Sequence, residues 1–443
     1  MILSVLIQTP PLWLVFPFVS LLLMIASGPV LFPKIWHHYY KHISIGLGLL
    51  VGIYYAFVLN NLVLPIETLA EYVSFISLLT ILYISSGGIF LFIDVESKAW
   101  VNILFLFLAA IFTNLIGTTG ASVLFIRPFM RINRYRLKPY HIVFFIFIVS
   151  NIGGSLTPIG DPPLFMGFLK GVPFSWTIFN LIGPWILAVA GLLTIFYFFE
   201  RRNTTLDDVD VSTHYTNKII VNGKRNFFWL LLGVSTVFLD PNIIDGLPFI
   251  DFHGKKISFI REFIQLGSAF LCFRFADKKA LDSNDFDFEA IKEVAFLFFG
   301  IFLCMMPALQ SLESFAHQQK ETLHLTPNLI YWSSGIFSSV LDNAPTYLNV
   351  LAVILSSSDL SINSFSDVQA FMLSPQVDLL IALSVGAVFF GAMTYIGNGP
   401  NFMVKAIAEQ TGVKMPSFGK YIWRYSLPIL LPVLFLVCLV YFI

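Results

Sequence analysis

Two aspartates interrupt the apolar stretches of this chain. Asp161 lies in Thr157-Pro-Ile-Gly-Asp-Pro-Pro-Leu-Phe-Met166, and Asp342 in Ser339-Val-Leu-Asp-Asn-Ala-Pro345. A carboxylate at the centre of a bilayer costs roughly 2.5 kcal/mol or more, and such residues are functional by default. Neither motif contains a Lys or Arg to neutralise the charge, so a cation and protons are expected to compete for both carboxylates. Asn114, Thr118, Thr119, Asn151, Thr157, Asn343, Thr394, Asn398 and Asn401 fall in the same kind of interruption and supply neutral oxygens. Oxygen ligands suit a hard cation such as Na+, by extension from the preferences of other hard ions. The plainer use of each neutral residue is to cap a helix or to bond between helices. For each aspartate it is to cap a broken helix.

Broken backbone must hold these residues at membrane depth. Gly153-Gly154, Pro158, Gly160 and Pro162-Pro163 cannot continue a helix, and neither can Gly397, Gly399 and Pro400. Unwound backbone inside a bilayer is tolerated where protein or a cavity satisfies it, and the freed N–H and C=O groups become ligands. Two further interruptions lie at Gly117–Gly120 and Asp342–Pro345. The four form two copies of one unit. Thr394-Tyr-Ile-Gly-Asn-Gly-Pro-Asn-Phe-Met403 repeats the Thr157 motif 237 residues on, with Asn398 opposite Asp161 and Gly391 opposite Gly154. Ile336-Phe-Ser-Ser-Val-Leu-Asp-Asn-Ala-Pro345 lies over Ile111-Phe-Thr-Asn-Leu-Ile-Gly-Thr-Thr-Gly120 at an offset of 225. Gly and Pro matched in register mark a duplication.

The elements that carry these breaks are membrane helices. Of 443 residues, 57% are hydrophobic and 12% charged, about half the charged fraction of a soluble domain. Net charge is zero, which gives no case for nucleic acid. Apolar runs long enough to span lie near 11–33, 43–63, 73–93, 176–199, 293–312 and 421–443, with shorter or broken ones near 140–170, 226–241, 259–275 and 377–410. Lys and Arg favour cytoplasmic loops. Arg127, Arg131, Arg134, Arg136 and Lys138 follow the segment 100–129, whose near end is also inside, so this segment is a re-entrant hairpin. The segment 328–356 is a second hairpin from the other face. Arg261, at an outer helix end, departs from the rule.

The expected fold is an all-α polytopic membrane protein of two inverted five-helix repeats, ten spans and two hairpins. Residues 1–200 form the first repeat with hairpin 100–129 and broken helix 140–170. Residues 201–225 form a cytoplasmic connection, and 226–443 the second repeat with hairpin 328–356 and broken helix 377–410. Both termini fall outside, in an inner membrane, and the N-terminal segment stays as a helix because it lacks the basic start of a signal peptide. Cys272, Cys304 and Cys438 read as small buried hydrophobes. His37, His38, His42, Lys405 and Glu409 read as interfacial. A membrane enzyme would need a nucleophile with its base or a His-rich metal set, and neither is clustered in the spans. No enzyme activity and no cofactor is expected beyond transported Na+ or Li+ and H+.

Ser150-Asn-Ile-Gly-Gly-Ser-Leu-Thr-Pro-Ile-Gly-Asp-Pro-Pro-Leu-Phe165, Ser338-Ser-Val-Leu-Asp-Asn-Ala-Pro-Thr-Tyr-Leu-Asn-Val-Leu351 and the stretch from Thr394 to Val413 resemble the ion transporter superfamily. Within it they are most similar to NhaD-type sodium/proton antiporters and the melanocyte P protein, over nearly the whole chain. The resemblance implies Na+(Li+)/H+ exchange at the aspartates matching Asp161 and Asp342, and a homodimer. Two positions depart from the pattern. P-protein-like members have Asn where this chain has Leu164, and the dicarboxylate members carry Ser-Asn-Thr signatures at both hairpin tips where this chain has Asp342 at one. An acidic tip repels a carboxylate, which favours cation exchange over the alternative, a sodium-coupled di- or tricarboxylate symporter resembling citrate transporters.

Overall fold

The computed structural model describes residues 10–203, 215–244, 246–253 and 255–443. The first nine residues of the expected first repeat and residues 204–214 of the expected connection lie outside the described residues. The chain is an all-α polytopic membrane protein. In chain order the helices are α1 (Phe16–Leu31), α2 (Pro33–Ile53), α3 (Val63–Gly87), α4 (Ala99–Ile132), α5 (Pro139–Ile148), α6 (Pro162–Lys170), α7 (Phe174–Arg201), α8 (Arg225–Thr236) and α9 (Ile260–Arg274). There follow α10 (Lys278–Ser283), α11 (Glu289–Gln318), α12 (Pro327–Val340), α13 (Asn343–Ser356), α14 (Phe365–Met372), α15 (Val377–Phe389), α16 (Gly399–Gln410) and α17 (Phe418–Tyr441).

Eight of the described helical stretches are long and apolar enough to cross a membrane, or nine if the bent pair α14 and α15 counts as one. The ten expected crossings are therefore not all full-length helices. α8 has 12 residues and α9 has 15, about 18 and 22 Å at 1.5 Å per residue, against a hydrocarbon core of about 30 Å. Large apolar side chains such as Phe179, Phe263 and Phe270 face outward, as lipid contact requires.

α4 is long enough to span, but it doubles back. Gly117 has φ 75°, a conformation that breaks the helix and that side chains rarely adopt. The two ends then meet: Asn102 donates to Asn133 Oδ1 at 2.7 Å, and Asn133 donates back at 2.9 Å. Phe105 stacks on Phe129 between them. Buried Glu200 clamps this end, accepting from Asn102 at 3.0 Å and Tyr140 at 2.6 Å, with Arg136 as its ion partner and His141 Nε2 at 2.9 Å. α12 and α13 also leave and return to one end, where Lys320 pairs with Asp359 at 2.7 Å.

Two short ladders stand outside the helices. Phe90–Asp94 (β1) pairs antiparallel with Lys218–Asn222 (β2), and Ile250–Phe252 (β3) with Lys255–Ile257 (β4). The helix expected over 73–93 thus stops at Gly87, and its last residues form a strand instead. The ladder is tied down by Asp94, which accepts from the Thr216 hydroxyl at 2.6 Å and its N–H at 3.0 Å and pairs with Arg134. Thr216 first, with Arg134 adding, holds the Asp94 carboxyl down at about 2.

The helices fall into two packed groups. α1, α2, α3, α8, α9 and α11 pack on one another, while α4–α7 pack with α12–α17. The groups meet where α3 lies on α4 and α6, and α11 lies on α13. Arg261, the cation that broke the loop rule, is buried and answered inside the protein by Asp240 at 3.2 Å, Glu262 at 2.8 Å and Ser74 at 3.0 Å.

Candidate functional site

Four helix starts converge in the second group. α6 begins after the break that follows α5, and α16 after the break that follows α15; each opens on a Pro in its first turn. α13 begins at the tip of the second hairpin, and the second half of α4 begins at Thr118, just past Gly117. The residue before each of the first three is Asp161, Asn398 and Asp342 in turn.

Asp161 lies at the centre and is 1% exposed. Its Oδ1 accepts from the Thr118 hydroxyl at 2.8 Å and from Asn398 Nδ2 at 3.2 Å; its Oδ2 accepts from Asn343 Nδ2 at 3.2 Å. Asn343 is oriented by Ser338, whose hydroxyl lies against Asn343 Oδ1 and the Ala387 carbonyl. No Lys or Arg among the described residues pairs with this carboxylate. Thr118 and Asp161 come from the first half of the chain, Asn343 and Asn398 from the second.

Behind this shell Asn398 also approaches Asn151 Oδ1 and the Ser150 carbonyl, each at 3.2 Å. Asn151 donates to Asn401 Oδ1 at 2.7 Å, and Asn401 donates to the carbonyls of Gly391 and Thr394, each at 2.8 Å. The amides thereby knit one break to the other.

Asn114, Thr157 and Thr394 stitch each hairpin tip to its break. Asn114 donates to the Gly153 carbonyl at 2.7 Å and accepts from the Leu156 N–H at 2.8 Å. The Thr157 hydroxyl donates to the Asn114 carbonyl at 2.6 Å, and the Thr394 hydroxyl donates to the Ser339 carbonyl, also at 2.6 Å. Asn114 and Ser339 are 225 residues apart and the two threonines 237, so one bond recurs at both offsets of the repeat. Each threonine oxygen then accepts a glycine N–H, from Gly160 at 3.1 Å and Gly397 at 3.0 Å.

Two expected residues stand apart from this cluster. Asp342 is half-buried and caps α13, accepting from the Ala344 N–H at 3.1 Å. Thr119 is half-buried and lines a narrow cleft with Leu79, Tyr83 and Pro162. Ser338 was not among the expected residues. The signal was present, because the 225-residue offset sets Ser338 opposite Thr113, which approaches the Val149 carbonyl at 3.3 Å much as Ser338 approaches that of Ala387.

A family model described as "Putative citrate transport" matches residues 7–442. Among curated proteins none matches the chain significantly.

Proposed function

The chain belongs to the family described as "Putative citrate transport", and from that premise we propose a secondary active transporter in which Asp161 binds the coupling cation and protons in turn. In its simplest form this is a Na+(Li+)/H+ antiporter working by alternating access, set in an inner membrane. One observation carries the reading: a buried carboxylate whose partners are the neutral donors Thr118, Asn343 and Asn398. A charge at the bilayer centre costs roughly 2.5–3.5 kcal/mol on insertion scales. Hydrogen bonds to a charged group return about 1.5–3 kcal/mol each, so the three donors offset part of that cost. A proton or a small cation supplies the positive charge that no side chain there does. Asp342 adds negative potential from the hairpin tip.

A second reading is a sodium-coupled citrate symporter. The family favours it, and so do the four helix starts, whose positive ends attract the carboxylates of a substrate. Everted vesicles with a pH-gradient dye, given NaCl, LiCl, KCl and citrate in turn, separate the two. Antiport requires dye recovery on Na+ or Li+ alone, abolished by Asp161→Asn in a protein that still folds. Citrate accumulation with Na+ and no proton movement by Na+ alone would overturn antiport in favour of symport.

A further inference from the structure

A polar vestibule of about 540 Å³ opens between the two helix groups, lined among others by Glu67, Ser74, Lys170, Arg261 and Asn363. Behind it lies a narrow pocket walled by Leu64, Thr68, Met305, Gln310 and Leu348. Glu67, Glu71, Lys170 and Asn363 line both, and the Lys170 and Glu71 side chains pair at 2.7 Å. Lys170 is 8% exposed and ends α6, nine residues that begin just after Asp161. The pair is therefore about 13 Å along a rigid half-helix from the Asp161 cap. Gly171, at φ 118°, stops the helix there and fixes where Lys170 stands. From the other wall of the pocket, Leu348 lies five residues along α13 from Asn343, about 8 Å. The two cavities meet around this ion pair, at the opposite end of α6 from Asp161.

The pair also crosses between the groups, from α6, which carries the site, to α3. A buried ion pair is rarely more stable than an apolar pair of the same volume. Its distinct property is that a hydrated ion can exchange with either partner. We propose that Lys170 and Glu71 form the vestibule-side gate on the path to Asp161, a reading that rests on the transport function above. Closed, the pair separates the vestibule from the pocket. Parted, it frees α6 from α3 and opens the pocket to solvent.

Two experiments test this. In a chain whose three native cysteines are replaced, Leu348→Cys (Leu348 is 1% exposed) should resist a membrane-impermeant thiol reagent. Adding Glu71→Gln or Lys170→Met should raise its labelling rate at least tenfold, and the exchanged pair Lys170→Glu with Glu71→Lys should restore protection. Labelling needs no transport, so an unchanged rate overturns the gate and leaves the transport reading standing. Second, Lys170→Cys with Glu71→Cys, joined by a thiol cross-linker, should stop vesicle transport reversibly on reduction. Undiminished transport by the cross-linked protein would also overturn the gate.

Discussion

Asp161 is met by three neutral donors rather than by a counter-ion, and this makes each donor measurable. Thr118 is the most direct case. Thr118→Val keeps the branched shape and removes the hydroxyl that reaches Oδ1 at 2.8 Å. Losing one charge-assisted bond, about 1.5–3 kcal/mol, corresponds to a tenfold or greater loss of apparent cation affinity. The maximum rate of a folded variant should change less than its KM for Na+ or Li+; an unchanged KM would remove Thr118 from the ion's shell. The sequence made these residue types readable because Gly and Pro mark the breaks and acid marks the charge. It could not separate Asp161 from Asp342, since both sit before a helix start. What separates them is which amides point at each carboxylate, and that follows from how the two repeats face one another. Ser338 escaped for a related reason: a serine in an apolar helix usually bonds its own preceding turn.

At the scale of elements, the breaks work as close-packed knots. A Cβ on Gly160 would lie 2.0 Å from the Gly154 carbonyl oxygen, and one on Gly397 would lie 2.6 Å from that of Gly391. The glycines are needed less to stop a helix than to let two strands of unwound backbone touch, a purpose that the type of residue alone does not disclose. β1 was illegible for another reason. Phe90–Asp94 continues an apolar run, and periodicity cannot tell such a short stretch from the end of a helix; its partner Lys218–Asn222 is over a hundred residues away. The tie that holds this ladder has a defined pH dependence. Because Thr216 and Arg134 hold Asp94 down at about 2, against an ordinary value of about 3.9, its contribution to stability is full above about pH 4 and is lost as pH falls through about 2. The melting temperature of the wild type should exceed that of Asp94→Asn at pH 6, and the gap should close toward pH 2. A gap that stays constant would mean that Asp94 stabilises the fold through packing rather than charge.

Over the whole molecule, two motifs matched in sequence supply unequal seats. Asp161 and Asn398 occupy matching places 237 residues apart, and both reach into one site, but one carries a charge and the other an amide. The Asp161 carboxylate accepts hydrogen bonds from both halves. The matched motifs were legible because their Gly and Pro positions are rigid requirements. The number of full-length crossings was less so, because α8 and α9 are too short alone and their hydropathy does not reveal how flanking turns complete them. The packing of the two groups is set by side-chain fit between distant segments, as where Ser44 on α2 donates to the Phe296 carbonyl on α11 at 2.8 Å. No local pattern announces such a contact.

The fold-back of α4 has a consequence for how the protein is made. The clamp residue Glu200 is synthesised 98 residues after Asn102, an interval of roughly 5–20 s at ordinary elongation rates. During that time the insertion machinery meets a 34-residue segment holding an 18-residue window of mean hydropathy 2.1, which reads as a span. What resists its crossing in that window is the cationic run that follows, before any clamp exists. Nascent chains stopped at residue 150 should therefore depend on Arg127, Arg131 and Arg134 to keep a reporter after the segment on the side it entered from. Replacing the three by Gln should let the reporter cross in the short chain, and should leave it in place in the full-length chain, where Glu200 gathers the two ends. A reporter that behaves alike in both would mean that charge and clamp do not divide the task in time.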